Sequence, residues 1–172
     1  MTKRDDILRA GEVLFARRGF HAVPIDNVIR EAGVSPRTLY AHFPSKEALA
    51  VGVLTARNGR FLTSLADAVD EPGGLEALFD RLEAWLRAAP PNGCLFLRAY
   101  GEFKSGPIDE CVAAYRKGLR AVARRFSPPC ANADAFADEL LLLIEGATSL
   151  AASLGAKPAV DAARKAAQRM IP

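Results

Sequence analysis

"GVSPRTLYAHF", from Gly33 to Phe43, is the stretch on which the reading of this chain turns. Leu39 and Phe43 stand four apart and would share one face of a helix. Arg37, Thr38, Tyr40 and His42 occupy its other faces, all with hydrogen-bonding side chains. Ser35 is a good N-cap, and Pro36 suits the first helical position because its missing N–H would be unpaired there anyway. Gly33 suits the tight turn before them. So short and polar a helix is a poor core element. It holds its own chain by one face and leaves the others to grip something outside it.

Helical periodicity continues on both sides of this stretch, and no segment shows sustained strand alternation. A first helix is predicted from about Arg4 to Arg18, closed by Gly19, and a second from about Ile25 to Ala32. Pro44-Ser45 ends the third helix and caps a fourth, expected from Lys46 to about Val69 and weakened locally by Gly52 and Gly59. "EPGG" at 71–74 breaks it. Helices near 75–88, 94–104, 108–126, 134–155 and 158–171 follow, separated by "PPNG", "SGP", "SPP" and "GAKP". The expectation is an all-α fold of about nine helices. A three-helix helix-turn-helix head (1–48) would sit on a helical-bundle regulatory domain (49–172).

A chain of 172 residues, half of them hydrophobic and a quarter charged, can bury a proper core. Its longest apolar run, Leu140 to Ile144, is far short of the roughly 20 residues a membrane span needs. With an N-terminus unlike a signal peptide, a cytoplasmic location and no membrane partner are expected. Residues 1–60 carry 10 Lys/Arg against 6 Asp/Glu, the remainder 13 against 14. A basic head on a near-neutral body suits a polyanion partner at the head alone. Cys94, Cys111 and Cys130 fit neither a disulfide framework nor a zinc motif. They read as buried thiols or, alternatively, as a redox sensor. There is no Gly-rich phosphate loop, metal-binding His pair or nucleophile elbow, and both histidines, His21 and His42, fall in the first third. An enzyme, a cofactor and a metal are therefore not expected.

Two short helices joined by a glycine turn make a helix-turn-helix, whose second helix enters the DNA major groove N-terminus first. Arg37 could then reach a guanine edge with its bidentate fork. Thr38 could touch a thymine methyl or a phosphate. Tyr40, His42 and Lys46 would meet the sugar-phosphate strands, and the N-terminus of the fourth helix, capped by Ser45, offers further N–H donors. The same turn occurs in purely structural bundles, so an all-helical interaction protein stays open on these grounds.

The segment Ile7 to Leu54 resembles the DNA-binding domain of the TetR/AcrR family of bacterial transcriptional regulators. The resemblance is carried by "AGEVLFARRGF" and "VIREAGVSPRTLYAHFPSKEALA". It implies that Ser35, Pro36, Arg37, Thr38, Tyr40, His42 and Lys46 lie at or near double-stranded operator DNA. The family usually has Thr or Ser at the cap of the second helix, where this chain has Val23-Pro24. Pro36 stands where a Lys or Gln contact residue is common, so direct readout leans on Arg37. "NGCLFLRAYGEF" (92–103) resembles the opening of the sixth helix in one group of these regulators.

In the second half, Leu143, Ala147, Leu150 and Leu154 on one helix and Ala163, Ala167 and Met170 on the last suit close helix approach. They fit either a buried central helix or, as the resemblance implies, a homodimer interface of paired helices. Trp85, Cys94, Phe96, Tyr100, Phe103 and Tyr115 gather in the middle helices, as ordinary core or as the wall of a pocket for a small, largely apolar effector. By resemblance, the chain would be a repressor released by that effector, with a thiol switch as the alternative.

Overall fold

The computed structural model describes residues 2–88, 93–103, 106–129 and 132–171. Cys130, most of the "PPNG" break and Ser105 lie outside the described residues. Among those described there are nine α-helices and no strand: α1 Lys3–Arg18, α2 Ile25–Ala32, α3 Pro36–His42, α4 Lys46–Ala66, α5 Leu75–Ala88, α6 Leu95–Phe103, α7 Pro107–Arg124, α8 Ala133–Leu154 and α9 Ala156–Gln168. The expected all-α class and helix order hold.

Local chemistry sets the ends. Thr2 and Asp5 form a reciprocal capping box at the start of α1. The last turn of α4 tightens into a 3₁₀ segment, Asp67–Asp70, rather than continuing as α-helix. Asn132 caps α8 by accepting from the Asp134 and Ala135 amides. α9 begins earlier than the periodicity suggests, at Ala156, and runs through Pro158. A proline in the first turn removes no intrahelical hydrogen bond, so it need not delay the helix.

Two compact units divide the chain. The first comprises 1–58 and 95–113, the second 59–94 and 114–172. In the first, α1 packs on α2 and α3, with Ile7, Phe15, Phe20, Val28, Leu39, Leu49, Leu54 and Ile108 fully buried. α6 belongs to this unit although it lies far along the chain. In the second unit, α5, α8 and α9 pack together around Leu78, Phe79, Leu82, Leu140, Ile144, Val160 and Ala167.

Candidate nucleic-acid interface

The turn between α2 and α3 is built as its residues require. Gly33 takes a left-handed φ of 61°, and its N–H and that of Val34 reach back to the last carbonyls of α2. This closes the helix in the way that favours glycine. Ser35 then accepts from the Thr38 amide at 3.1 Å, and its hydroxyl lies 2.8 Å from that of Thr38. Pro36 occupies the first turn of α3. A seven-residue helix is too short to persist alone. This one is held by its cap and by Leu39, fully buried, and Phe43, 4% exposed. The Arg4 guanidinium lies 5.4 Å over the Phe43 ring.

The outer face is what this anchoring leaves over. Ser35, Pro36, Arg37, Tyr40 and His42 are exposed, and Thr38 is half-buried. Tyr40 is 48% exposed, a high value for a large aromatic. Ser45 caps α4 by accepting from the Ala48 amide at 3.0 Å. The N-cap of α2 is Pro24, which makes no side-chain cap bond, so that helix start lacks a hydroxyl.

The family model described as "Bacterial regulatory proteins, tetR family" matches residues 7–53, the span of this helix-turn-helix and the first part of α4. The first part of the chain is similar to the helix-turn-helix segment of that family. The chain is 33% identical over 67 residues to the HTH-type transcriptional regulator UidR of Escherichia coli, covering 39% of this chain and 34% of UidR. It is 36% identical over 91 residues to the HTH-type transcriptional repressor BdcR of the same organism, covering 52% and 46%. The chain thus spans less than half the length of these two curated relatives. A TetR-family transcriptional regulator from Streptomyces coelicolor, SCO4454, superposes with a TM-score of 0.88 over 97% of this chain and 93% of its own, at 22% identity. That likeness concerns the fold.

One member of the expected contact set is already engaged. The Lys46 ammonium donates to the His21 carbonyl at 2.9 Å. Burial lowers its pKa, and the nearby Glu102 carboxylate works in the opposite direction. An ammonium has three N–H donors, so the anchored group can still face a phosphate. Around it α6 grips the corner after α1. Glu102 accepts from the His21 amide at 2.6 Å, Arg98 donates to the Ala16 carbonyl at 3.0 Å, and the Phe103 ring lies 4.9 Å from His21 and 5.7 Å from Phe20. His21, Ser45, Lys46, Glu47 and Phe103 line a cavity of about 360 Å³ beside it. Sequence reasoning missed this arrangement. His21 and Glu102 are 81 residues apart, and no local pattern links them.

Elsewhere in the chain the predicted sets separate. Phe96, Tyr100 and Phe103 belong to the first unit, Trp85, Cys94 and Tyr115 to the second. In the second, Phe61 joins Trp85 and Tyr115, with ring centroids 5.1 and 6.2 Å apart. Ala147, Ala163 and Ala167 are buried within their own unit, where α8 and α9 pack together, because a methyl there lets the two helices approach. Leu143 and Met170 are half-buried. Leu150 and Leu154 are 51% and 57% exposed, and Leu142, absent from the expected set, is 72% exposed. A spacing of four from Leu142 through Gly146 to Leu150 and Leu154 was the signal available for it. The Cys111 thiol has its pKa raised by burial, partly offset by Thr55 3.9 Å away. A raised thiol pKa disfavours the reactive thiolate.

Proposed function

We propose that this chain is a DNA-binding transcriptional regulator that binds a palindromic operator as a homodimer and is released by a small, largely apolar effector. The observation that carries it is the division of α3 into two faces. Leu39 and Phe43 lock it inward while Arg37, Tyr40 and His42 are left outward beside the capped start of α4. Arg37 reads a base edge. Ser35, Pro36, Thr38, Tyr40, His42 and Lys46 set register on the backbone. The repressor reading is supported by the description of BdcR.

A second copy covers α8. Leu142, Leu150 and Leu154, with Ile171 at 42% exposure, leave apolar surface that a twofold mate would bury with its own. The effector site is placed in the second unit, at Phe61, Trp85, Cys94 and Tyr115. An effector acts only if it binds the DNA-free arrangement better than the DNA-bound one. Operator DNA must then weaken effector binding by the same factor. The thiol alternative gains nothing from Cys111, whose pKa moves the wrong way.

The test is a gel shift with genomic fragments that include the chain's own promoter, repeated across salt. Log affinity falls steeply with log salt if several phosphates are contacted by each subunit. Binding that ignores salt, or no retained fragment at all, overturns the reading.

A further inference from the structure

Arg4 stands in the first turn of α1 and is exposed. Leu8, four residues on and buried, shares its face of the helix. Leu8 and the Phe43 ring close together on α4 at Gly52, where an added Cβ would meet Phe43 Cε1 at 2.7 Å and Leu8 Cδ2 at 3.2 Å. One turn before that contact, the Arg4 guanidinium lies 5.4 Å from the centre of the same Phe43 ring. Among the described residues no carboxylate forms an ion pair with it. Asp5, its neighbour in the chain, is spent on the cap of α1, where it accepts from the Thr2 amide at 2.9 Å. Asp6, two residues on, lies on another face of the helix.

A guanidinium stacked on a ring uses its flat face and leaves its N–H edge for other acceptors. That edge carries five donors in a fixed fork, which matches a phosphate as well as a carboxylate. Phe43 also closes α3, and its ring lies 6.4 Å from that of the outward His42. Arg4 is thereby held at the C-terminal end of the helix whose N-terminal end carries Ser35, Arg37 and Thr38. A recognition helix enters the groove N-terminus first, so a cation at its other end faces the strand rather than the bases. We infer that Arg4 is a further positioning residue for DNA, clamping a backbone phosphate from its seat on Phe43. This rests on the reading of the chain as a DNA-binding regulator, and adds the start of α1 to the elements that grip the strand. The seat matters because a long side chain already ordered loses less entropy on binding.

The probes are a genomic fragment that the full chain retains and a scrambled duplex of the same length, each titrated from about 50 to about 300 mM potassium chloride. Arg4→Ala should weaken both alike, on the order of tenfold or more at low salt, because a phosphate carries no sequence. The plot of log affinity against log salt should become less steep by about 0.9 for each phosphate given up, hence by about 1.8 if both subunits of a dimer contribute. Arg4→Gln, which keeps more of the stem over Phe43, should do the same. Arg4→Lys keeps the charge and should keep the slope, with an intermediate affinity. Arg169→Ala removes the same charge from the second unit, at the exposed end of α9, and should leave the slope as it is. Helical circular dichroism of each variant separates lost binding from lost folding. A purely structural Arg4 would lower affinity by one factor at every salt. A slope unchanged in both Arg4→Ala and Arg4→Gln, an equal loss of slope in Arg169→Ala, or weakening confined to the genomic fragment overturns the inference. Retention by the wild type with any of these results sinks this inference alone. A wild type that retains no duplex at any salt sinks the proposed function, and this inference with it.

Discussion

Gly52 and Gly59 lie seven apart in α4, and the same substitution at each is expected to move stability in opposite directions. Alanine in place of glycine inside a helix gains about 1 kcal/mol from backbone entropy and propensity. At Gly59 nothing lies within 4 Å of the added Cβ, so Gly59→Ala should stabilise by up to about 1 kcal/mol. At Gly52 the Cβ would come to 2.7 Å from Phe43 Cε1 and 3.2 Å from Leu8 Cδ2. Phe43 is a rigid ring, 4% exposed, and it cannot swing away into solvent. Overpacking of this kind costs about 1–3 kcal/mol. Net of the propensity gain, Gly52→Ala should destabilise by up to about 2 kcal/mol. Phe43 also ends α3, so displacing it tilts the outward face, and operator affinity should fall by more than the stability loss explains. Urea unfolding followed by helical circular dichroism measures both variants, with a shifted midpoint at constant slope marking a pure stability change. Equal shifts of the same sign would refute the close approach of Phe43 to α4.

Three further outcomes are expected. Arg37→Ala should lose about 1–3 kcal/mol of discrimination between operator and mismatched DNA, whereas Tyr40→Phe should weaken all sequences alike in a competition gel shift. Leu142→Glu or Leu150→Glu should raise the dimer dissociation constant on the order of a hundredfold or more in sedimentation, because a charge entering an apolar interface loses hydration without a partner. An undisturbed dimer would move the interface off α8. Glu76 accepts from Arg164 and Gln168, which lower its pKa from an ordinary value of about 4.5. A lowered carboxylate pKa contributes stability above the unfolded value that disappears as pH falls through the folded one. Glu76→Gln should therefore flatten the acid side of the stability–pH curve below about pH 4.5 and leave its neutral part similar in shape.

The helices were legible because their signals are local. Ser35, Pro36 and Gly33 each have one conformational preference, and all three agree on a turn and a helix start between residues 33 and 36. Close approach is not local. Gly52 and Gly59 look identical in sequence, as weak points of a long helix, yet one is pressed by Phe43 and the other faces open space. Small residues on α8 and α9 misled in a similar way. Ala147, Ala163 and Ala167 carry the composition of an interface, and the two helices consume them on each other. The residues left outward were the large ones, Leu142 above all. Lys46 could be recognised as a charge beside the helix-turn-helix, but its bond to the His21 carbonyl could not. That bond depends on a corner whose geometry is set by α6.

That corner also bears on how a signal could enter the head. The last carbonyls of a helix have no partners within it, and Ala16, in the final turn of α1, is supplied with one by Arg98. The His21 amide, just beyond the same helix end, is supplied with one by Glu102. Gly19, at a φ of 89°, lets the chain pass close beneath them: a Cβ there would meet Glu102 Oε1 at 2.7 Å and Arg98 Nε at 3.4 Å. Two backbone groups that α1 cannot satisfy for itself are thus tied to α6. Moving α6 must either leave them to water or carry the corner along. α1 packs directly on α2 and α3, so a carried corner shifts the outward face as well.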